Sequence, residues 1–304
     1  MKADPTVVRE YLLELQARFC SAFEELEGEK RFVGEEWKDA DRGLSLPRVL
    51  TDGAIIERAA VNFSHTLGDA LPGAATVRRP DLAGHRFEAV SLSLIAHPRN
   101  PHVPTTHANF RFFVADKKND DPVWWFGGGF DLTPYYGYEE DAVHWHENAQ
   151  EACRPFGKDV YPQFKRACDK YFYLPHRDET RGVGGLFFDD LSDWGFETTF
   201  AFLRSAGDRF LPGYLPILER RKAVPYGDRE REFQLYRRGR YVEFNLIYDR
   251  GTLYGLQAGR RIEAVLASMP PRVRWEYDWQ PEPGSAEADL YEKFLKPRDW
   301  LTSA

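Results

Sequence analysis

Polar side chains recur at every second position on either side of a turn-rich stretch, HPRNPHVPTT. Ser93 and His97 lie before or at its start, and His107, Asn109 and Arg111 follow it. Because strand side chains alternate between faces, an antiparallel pairing of the two segments places all five on one face. Two imidazoles, an amide and a guanidinium there provide directed hydrogen bonds and a means of proton transfer. A solvent-exposed sheet face shows the same alternation and is the alternative.

An aromatic run, VWWFGGGFDL at 123–132, carries three consecutive glycines followed by Asp131. Glycine inside a strand marks a bulge or a close approach by a ligand or another backbone. A carboxyl group among apolar residues favours its neutral form unless a partner stabilises the charge. Asp131 is therefore a candidate for hydrogen bonding or proton transfer, and a turn-capping role is the alternative.

Histidines provide a second set of candidates. In the segment around HWH, the helical spacing of Ala142, Trp145, Ala149 and Cys153 predicts an inward stripe. His146 lies about 40° from the centre of that stripe and His144 lies on the other side. An imidazole-rich metal site is one interpretation, and its candidate ligands are His97, His107, His146 and His176. A histidine that only caps the end of the preceding helix is the alternative for His176.

The C-terminal part contains YVEFNLIYDRGTLYGLQAGRR. We read residues 241–248 as an apolar strand that Asp249 and Arg250 close, and the upstream arginines 237, 238 and 240 as a solvated turn. Gly259, Arg260 and Arg261 precede a predicted helix. Because a helix N-terminus favours anions, this triplet is a candidate receiver for a carboxylate.

The elements that position these residues follow from local patterns. Asp4, Pro5 and Gly28 are typical of the start and the end of a helix. Alternation and aromatic runs predict strands at 85–96, 107–114, 123–132 and 185–190, and apolar periodicity predicts helices at 138–153, 158–173, 194–210 and 213–223. Short connections between consecutive strands favour an antiparallel sheet with helices packed on it. We expect a single α+β domain over residues 1–304.

Composition excludes several classes of protein. The 304 residues carry 41 Lys and Arg against 48 Asp and Glu, a net charge of −7 that argues against a nucleic-acid binder. The three cysteines are too few for a disulfide framework, and we expect them to be reduced. Neither a signal peptide nor an apolar run that could span a membrane is found, which favours a cytoplasmic protein. The fingerprints of dinucleotide-binding and phosphate-binding loops are absent from the sequence.

Four long blocks resemble the oxygen-dependent coproporphyrinogen III oxidases. They are HPRNPHVPTTHANFRFF, WWFGGGFDLTPYYGYEEDAVHWH, DVYPQFKRACDKYFYLPHRDETRGVGGLFFDDL and RRGRYVEFNLIYDRGTLYGLQ, and the likeness runs from about residue 5 to the end. The resemblance implies a large, flat antiparallel sheet covered by helices on both faces, in a homodimer. It also implies that two propionates of coproporphyrinogen III become vinyl groups, with O₂ as the oxidant and CO₂ and H₂O₂ released. The apolar run after residue 240 leads us to expect the dimer interface at 241–276.

The resemblance also implies roles for particular residues. His107 would donate a proton, Asp131 would engage the pyrrole N–H groups, and Asp249 with Arg250 would form the far wall of the site. The substrate contacts would be Ser93, Asn109, Phe110, Arg111, Gly259, Arg260 and Arg261. Arg260 departs from the family pattern, in which a second glycine is expected.

The cofactor that the resemblance implies is O₂ as co-substrate, without flavin, haem or nicotinamide. Some members of the family are assigned a divalent metal, and the four histidines would be its ligands. A metal-dependent oxygenase and a non-catalytic tetrapyrrole carrier are the alternatives at this point.

Overall fold

A computed structural model describes residues 3–71, 80–116, 121–257 and 261–302. Its main element is a seven-stranded sheet in which every neighbouring pair is antiparallel. The strand order is β1-β2-β3-β4-β5-β6-β9, so that the first six strands follow one another along the chain. They are β1 Trp37–Asp39, β2 Gly43–Thr51, β3 Ile56–Gly68, β4 Phe87–Pro98, β5 Thr105–Ala115, β6 Val123–Thr133 and β9 Gly184–Leu191. A small separate hairpin consists of β7 Tyr173–Leu174 and β8 Glu179–Thr180.

Helices pack on both faces of this sheet, which confirms the α+β architecture. They are α1 Pro5–Glu27, α2 Glu139–Cys153, α3 Val160–Tyr171, α4 Phe196–Arg221, α5 Asp228–Ile247, α6 Arg250–Gln257, α7 Ile262–Leu266 and α8 Ala286–Asp289. Short 3₁₀ turns at Pro80–Leu82 and Arg154–Phe156 and a π turn at Leu290–Phe294 complete the described elements. In the described part of the chain, every helix is too short or too polar to cross a membrane.

The first helix shows how the sequence sets an element boundary. The Asp4 carboxylate accepts a hydrogen bond from the backbone N–H of Thr6 at 2.9 Å, and Pro5 occupies the first helical position. Gly28 ends the helix with a positive φ of 74°. Since the inward side chains of α1 are fully buried against β3 and β4, the helix is stabilised by both its cap and its packing.

The two faces of the sheet differ in chemistry. One face is apolar and packs on α1, α2 and α4, with Phe63, Leu92, Phe110, Phe130 and others of the core fully or almost fully buried. The opposite face carries the polar positions of the same strands and is partly covered by α5, whose Tyr241 packs against Ala60 and Ile95. The alternation in β4 and β5 therefore predicted the two-sided character of the sheet correctly.

The segment at 241–248 corrects one prediction, because it is the C-terminal part of α5 and not a strand. A strand at 241–248 would place Leu246 and Ile247 on opposite faces. In the helix both are exposed, at 46% and 54%. The arginines expected in a solvated turn also lie in α5, where Arg237, Arg238 and Arg240 are buried by ion pairs with Glu179 and Glu57.

Candidate active site

The polar face is assembled by the register of three strands. Ser93 of β4 lies opposite Asn109 of β5, and His107 of β5 lies opposite Asp131 of β6. Directly opposed residues of an antiparallel pair point to the same face. Ser93, His107, Asn109 and Arg111 therefore share one face, as the alternation predicted, and the pairing of β5 with β6 adds Asp131 to that face. We call these five residues with Arg250, described below, the polar cleft.

Asp131 is the most enclosed member of the cleft. Its side chain is 2% exposed, and its carboxylate accepts bidentate hydrogen bonds from Arg181 at 2.7–3.2 Å. Oδ1 also accepts from Nδ1 of His107 at 3.0 Å. Burial opposes the charge of Asp131, but the Arg181 guanidinium and the His107 hydrogen bond outweigh it and lower its pKa below the ordinary value. Asp131 is therefore an ionised acceptor that fixes the ring of His107.

Arg181 is itself held by an aromatic cage. Its guanidinium carbon lies 4.1 Å from the ring centroid of Phe172, 4.8 Å from that of Phe244 and 4.9 Å from that of Tyr241. Nη1 of Arg181 also donates to the side-chain oxygen Oδ1 of Asn245 at 3.1 Å. Cation–π contacts strengthen when the cation is desolvated, and the side chain of Arg181 is only 2% exposed. The Asp131–Arg181 pair is therefore a rigid part of the site.

Of the three residues His107, Asp131 and Arg181, His107 is the one that reaches the surface of the cleft. Its side chain is 22% exposed, compared with 2% for both Asp131 and Arg181. Because Nδ1 donates to an ionised carboxylate, the neutral ring carries its free lone pair on Nε2. Within the described residues, Nε2 of His107 has no hydrogen-bond partner. This nitrogen is placed to exchange a proton with a ligand in the cleft.

Two arginines meet at a second carboxylate. Nη2 of Arg111 donates to Oδ1 of Asp189 at 2.7 Å, and Nη1 of Arg250 pairs with Oδ2 of Asp189 at 2.8 Å. Nη1 of Arg111 also donates to the side-chain oxygen Oδ1 of Asn109 at 2.8 Å. Burial opposes the charge of Arg111, but Asp189 raises its pKa above the ordinary value. The two guanidiniums are thus held close together, and 22% of Arg111 and 35% of Arg250 are exposed.

The glycines of β6 allow close approach by different neighbouring groups. A Cβ on Gly127 would lie 2.7 Å from Oδ1 of Asp189 and 2.8 Å from Nε of Arg111. Gly128 and Gly129 have φ values of 158° and 144°, and a Cβ on Gly129 would lie 1.9 Å from the carbonyl oxygen of Leu186. Gly127 therefore makes room for the ion pair, whereas Gly129 makes room for the neighbouring strand.

Arg250 is positioned by the start of α6. Oδ2 of Asp249 accepts from the backbone N–H and the hydroxyl of Thr252, at 2.7 and 3.0 Å, which makes Asp249 a helix cap. Oδ1 of Asp249 accepts from the hydroxyl of Tyr171 at 2.9 Å, and the Arg250 guanidinium lies over the rings of Tyr171 and Phe187. These contacts hold Asp249 at the start of α6, where it positions the neighbouring Arg250.

Aromatic side chains border the polar cleft on the same face of the sheet. Phe113 and Trp125 stack at 5.3 Å with an angle of 4° between their planes. The ring of Tyr254, from α6, meets Phe113 edge-on at 6.3 Å. At the other end Tyr241 packs beside Ile95. Aromatic rings therefore border the polar cleft at both of its ends.

The four histidines proposed as metal ligands are not brought together. His97 is buried between the carbonyl oxygen of Ser268 and the hydroxyl of Thr105. His146 is buried on the apolar side of the sheet, where it bonds the carbonyl oxygen of Val183. Burial is the main cause that lowers the pKa of His97 and of His146 to about 3. His176 pairs with Glu243 and with the hydroxyl of Tyr248.

Only His107 of these four belongs to the polar cleft. In the ranges that the structure describes, no three His, Cys, Asp or Glu side chains form a group that could hold a metal ion. The side chains of this chain therefore do not fit the four-histidine centre, and we derive no step through a metal. The inward orientation of His146 was correct, and its expected place in the site was wrong.

The remaining predicted contacts divide into three cases. Phe110 is fully buried on the apolar face, opposite in direction to its neighbours Asn109 and Arg111, so that its side chain cannot line the cleft. Arg261 pairs with Glu35 at the start of α7. Gly259 and Arg260 lie outside the described residues.

Sequence reasoning missed Arg181 and Asp189. Arg181 comes from a loop, TRGVGG, and pairs with a residue 50 positions away. Asp189 lies in β9, and β9 was predicted without assigning its faces. Since Asp131 pairs with Gly185, counting two residues at a time along GLFFDDL places Asp189 on the polar face. The alternation can be read from the sequence, but the pairing that selects the face comes from the structure.

One comparison with known proteins bears on this site. Residues 7–300 of the 304 match the family model described as coproporphyrinogen III oxidase. The match covers every strand and helix that contributes to the polar cleft.

Proposed function

The chain belongs to the coproporphyrinogen III oxidase family, and we propose that it catalyses the oxygen-dependent form of this reaction. In each of two steps, a propionate side chain and O₂, with one proton, give a vinyl group, CO₂ and H₂O₂. The C–C bond to the carboxylate breaks and the side chain loses one C–H hydrogen, as a proton and two electrons. O₂ takes up both electrons, and this proton and the added proton complete H₂O₂. Coproporphyrinogen III would thus become protoporphyrinogen IX.

The observation that carries this proposal is the pair of partly exposed guanidiniums on an aromatic-bordered part of the sheet face. Arg111 and Arg250 point towards the same carboxylate. Guanidiniums bind carboxylates through paired, charge-assisted hydrogen bonds, and the propionates of the substrate are carboxylates at the rim of a flat ring. Ser93 and Asn109 are half-buried beside them and offer further polar contacts.

His107 would perform the proton step. The porphyrinogen ring is electron-rich, and removal of a pyrrole N–H proton increases its reactivity towards O₂. We assign this role to Nε2 of His107, which would accept that proton and so become the proton donor that the resemblance implies. The Asp131–Arg181 pair holds the ring by its other nitrogen. The chain contributes binding, orientation and a base at a fixed position.

We also infer the setting of the reaction. O₂ serves as the co-substrate without flavin, haem or nicotinamide, and the enzyme acts as a cytoplasmic homodimer. The exposed apolar residues within or next to 241–276 support an interface there. They are Leu246, Ile247, Leu256, Ile262, Trp275 and Tyr277. The three free cysteines agree with a reducing compartment.

The test is an assay with coproporphyrinogen III in air and under nitrogen, with CO₂, H₂O₂ and the porphyrin product measured. We expect one CO₂ and one H₂O₂ per vinyl group in air and no product under nitrogen. CO₂ release under nitrogen would contradict the oxygen-dependent reaction. Binding of coproporphyrinogen III without any CO₂ release would indicate a carrier. Undiminished activity after treatment with a chelator supports the metal-free scheme.

Arg111→Ala tests the site with a matched control. A charge-assisted hydrogen bond contributes about 1.5–3 kcal/mol, so that KM should rise on the order of 10- to 100-fold. Arg204→Ala removes an exposed arginine from α4, which packs on the opposite face, and should leave KM unchanged. Equal KM values for the two variants would place the substrate elsewhere.

A further inference from the structure

Asp189 occupies the position that a substrate carboxylate needs. Its two oxygens bridge Arg111 from β5 and Arg250 from α6, at 2.7 and 2.8 Å. This is the contact that a propionate would make with the same two guanidiniums. A bound carboxylate and Asp189 therefore compete for the same donors.

The surroundings favour exchange over permanent pairing. Asp189 is 12% exposed and its two arginines are 22% and 35% exposed, whereas Asp131 and Arg181 are each 2% exposed. Partly exposed ion pairs are weaker than enclosed ones because water screens them. The bare backbone at Gly127, close to both Asp189 and Arg111, leaves these side chains free of steric restraint from that strand.

The proposed reaction creates a need for such a group. Each turnover removes the carboxylate that an arginine holds, because the propionate leaves as CO₂ and a neutral vinyl group remains. Partly buried guanidiniums that lose their counter-ion are destabilised. A carboxylate fixed to the protein, and within reach of both guanidiniums, restores their partner without waiting for a second substrate.

We infer that Asp189 is an exchangeable internal counter-ion, which the substrate carboxylate displaces and which pairs with Arg111 and Arg250 again when that carboxylate is lost. The inference rests on the proposed function. It assigns to Asp189 the roles of limiting the affinity for carboxylates and of favouring product release. Its negative charge, and not its shape, is the decisive property.

Asp189→Asn removes the charge and keeps the shape. The probe is oxidised coproporphyrin III, which has four carboxylates and does not react, with its tetramethyl ester as the neutral counterpart. We expect the variant to bind the tetracarboxylate about tenfold more tightly than the wild type, and the ester with unchanged affinity. In turnover, both KM and kcat should fall, because binding improves and release slows.

Asp208→Asn is the matched control, since it removes one negative charge from α4, where Asp208 pairs with Arg18 on the opposite side of the sheet. This variant should bind both probes like the wild type. If it also binds the tetracarboxylate more tightly, net charge explains the effect and the inference is overturned. Unchanged or weaker binding by Asp189→Asn overturns it as well.

The two proposals fail differently. If the wild type does not prefer the tetracarboxylate over its ester, the proposed function of Arg111 and Arg250 is wrong. If it does, a crystal structure of the wild type with coproporphyrin III tests Asp189 without any variant. A propionate on the arginines, with Asp189 released from at least one of them, is the expected result. Asp189 still bridging both would refute the exchange.

Discussion

Replacing Arg181 with methionine tests whether the Asp131–Arg181 pair holds the site together. Methionine fills much of the same space between the rings of Phe172 and Phe244 and keeps the apolar contacts of the arginine stem. It removes the only guanidinium that bonds both oxygens of Asp131 in the described chain. The carboxylate remains buried with the His107 hydrogen bond.

The expected loss of stability follows from that orphaned charge. Removing one partner of a buried ion pair destabilises proteins by about 3–5 kcal/mol. Since domains are stable by about 5–15 kcal/mol in total, Arg181→Met should still fold at 25 °C but unfold at a clearly lower urea concentration. Arg181→Met combined with Asp131→Asn removes both charges, and we expect it to regain part of the loss.

The dependence on pH gives the sharper test. In the wild type the pKa of Asp131 is lowered, so that its stabilising effect is complete at neutral pH and is lost only in acid, as the pH falls through the lowered value. Without Arg181, burial raises the pKa of Asp131. The folded variant then binds a proton that the unfolded chain releases, and lower pH favours folding.

Urea unfolding of wild type and variant at pH 7.5, 6.0 and 5.0 measures this difference. The gap in unfolding free energy should be largest at pH 7.5 and should shrink towards pH 5.0. A difference in unfolding free energy under about 1 kcal/mol at pH 7.5 would lie far below the value for a buried ion pair and would contradict the prediction. A gap that grows as the pH falls would show that Asp131 keeps its charge without Arg181, and our account of the triad would be wrong.

Three further predictions follow from the same structure. Gly127→Ala should fold but bind coproporphyrin III more weakly, because its Cβ would lie 2.8 Å from Nε of Arg111 and displace that guanidinium. Gly129→Ala should fail to fold, because its Cβ meets a backbone carbonyl oxygen; thermal unfolding and ligand titration distinguish the two variants. Although burial opposes the charge of Glu57, two arginines lower its pKa to about 2. Glu57→Gln should therefore lower the unfolding free energy at pH 7, and its difference from the wild type should shrink as the pH falls from about 5 towards 2. If the proposed dimer forms through residues 241–276, Ile247→Glu should leave the fold intact and give a monomer in sedimentation experiments, and an unchanged dimer would place the interface elsewhere.

The sequence predicted the polar cleft because strand alternation is local. Strand side chains alternate with a period of two, and this period alone predicts that Ser93, His107, Asn109 and Arg111 share a face. The register of β4 and β5 confirms it. Phe110 was wrong as a substrate contact because it came from a continuous family motif, while the same period assigns its side chain to the core. Where the two sources disagreed, the backbone geometry was the better guide.

The segment at 241–248 was misread because its partners are remote in sequence. Its aromatic and β-branched residues are typical of a strand, and the arginines before it are typical of solvent-exposed positions. In α5, Arg238 is fully buried because Glu57, 181 residues earlier, accepts its hydrogen bond. Local propensity depends on neighbouring residues and cannot indicate such a pair. The burial of these arginines therefore could not be predicted from the sequence and became apparent only in the structure.

The histidines show the same limit for a site. His146 was assigned to the inward side of its helix correctly, but an inward position does not reveal which side of the sheet the helix covers. In the structure α2 packs on the apolar face, where Trp145 meets Phe130 at 4.9 Å. The polar cleft lies on the other face. Local periodicity therefore separates buried from exposed side chains and leaves their assembly undetermined.

The two carboxylates of the cleft differ in the property that decides what each can do. Asp131 has an enclosed arginine as its partner, so that a substrate cannot displace it, and its fixed charge orients His107. Asp189 has two partly exposed arginines as partners, so that a substrate carboxylate can reach and replace it. Exchanging these environments would abolish both roles. Asp189 as a fixed counter-ion would keep the propionates from the two arginines, and a mobile Asp131 would no longer hold the imidazole of His107. The difference in burial between the two pairs is thus a requirement of the proposed chemistry.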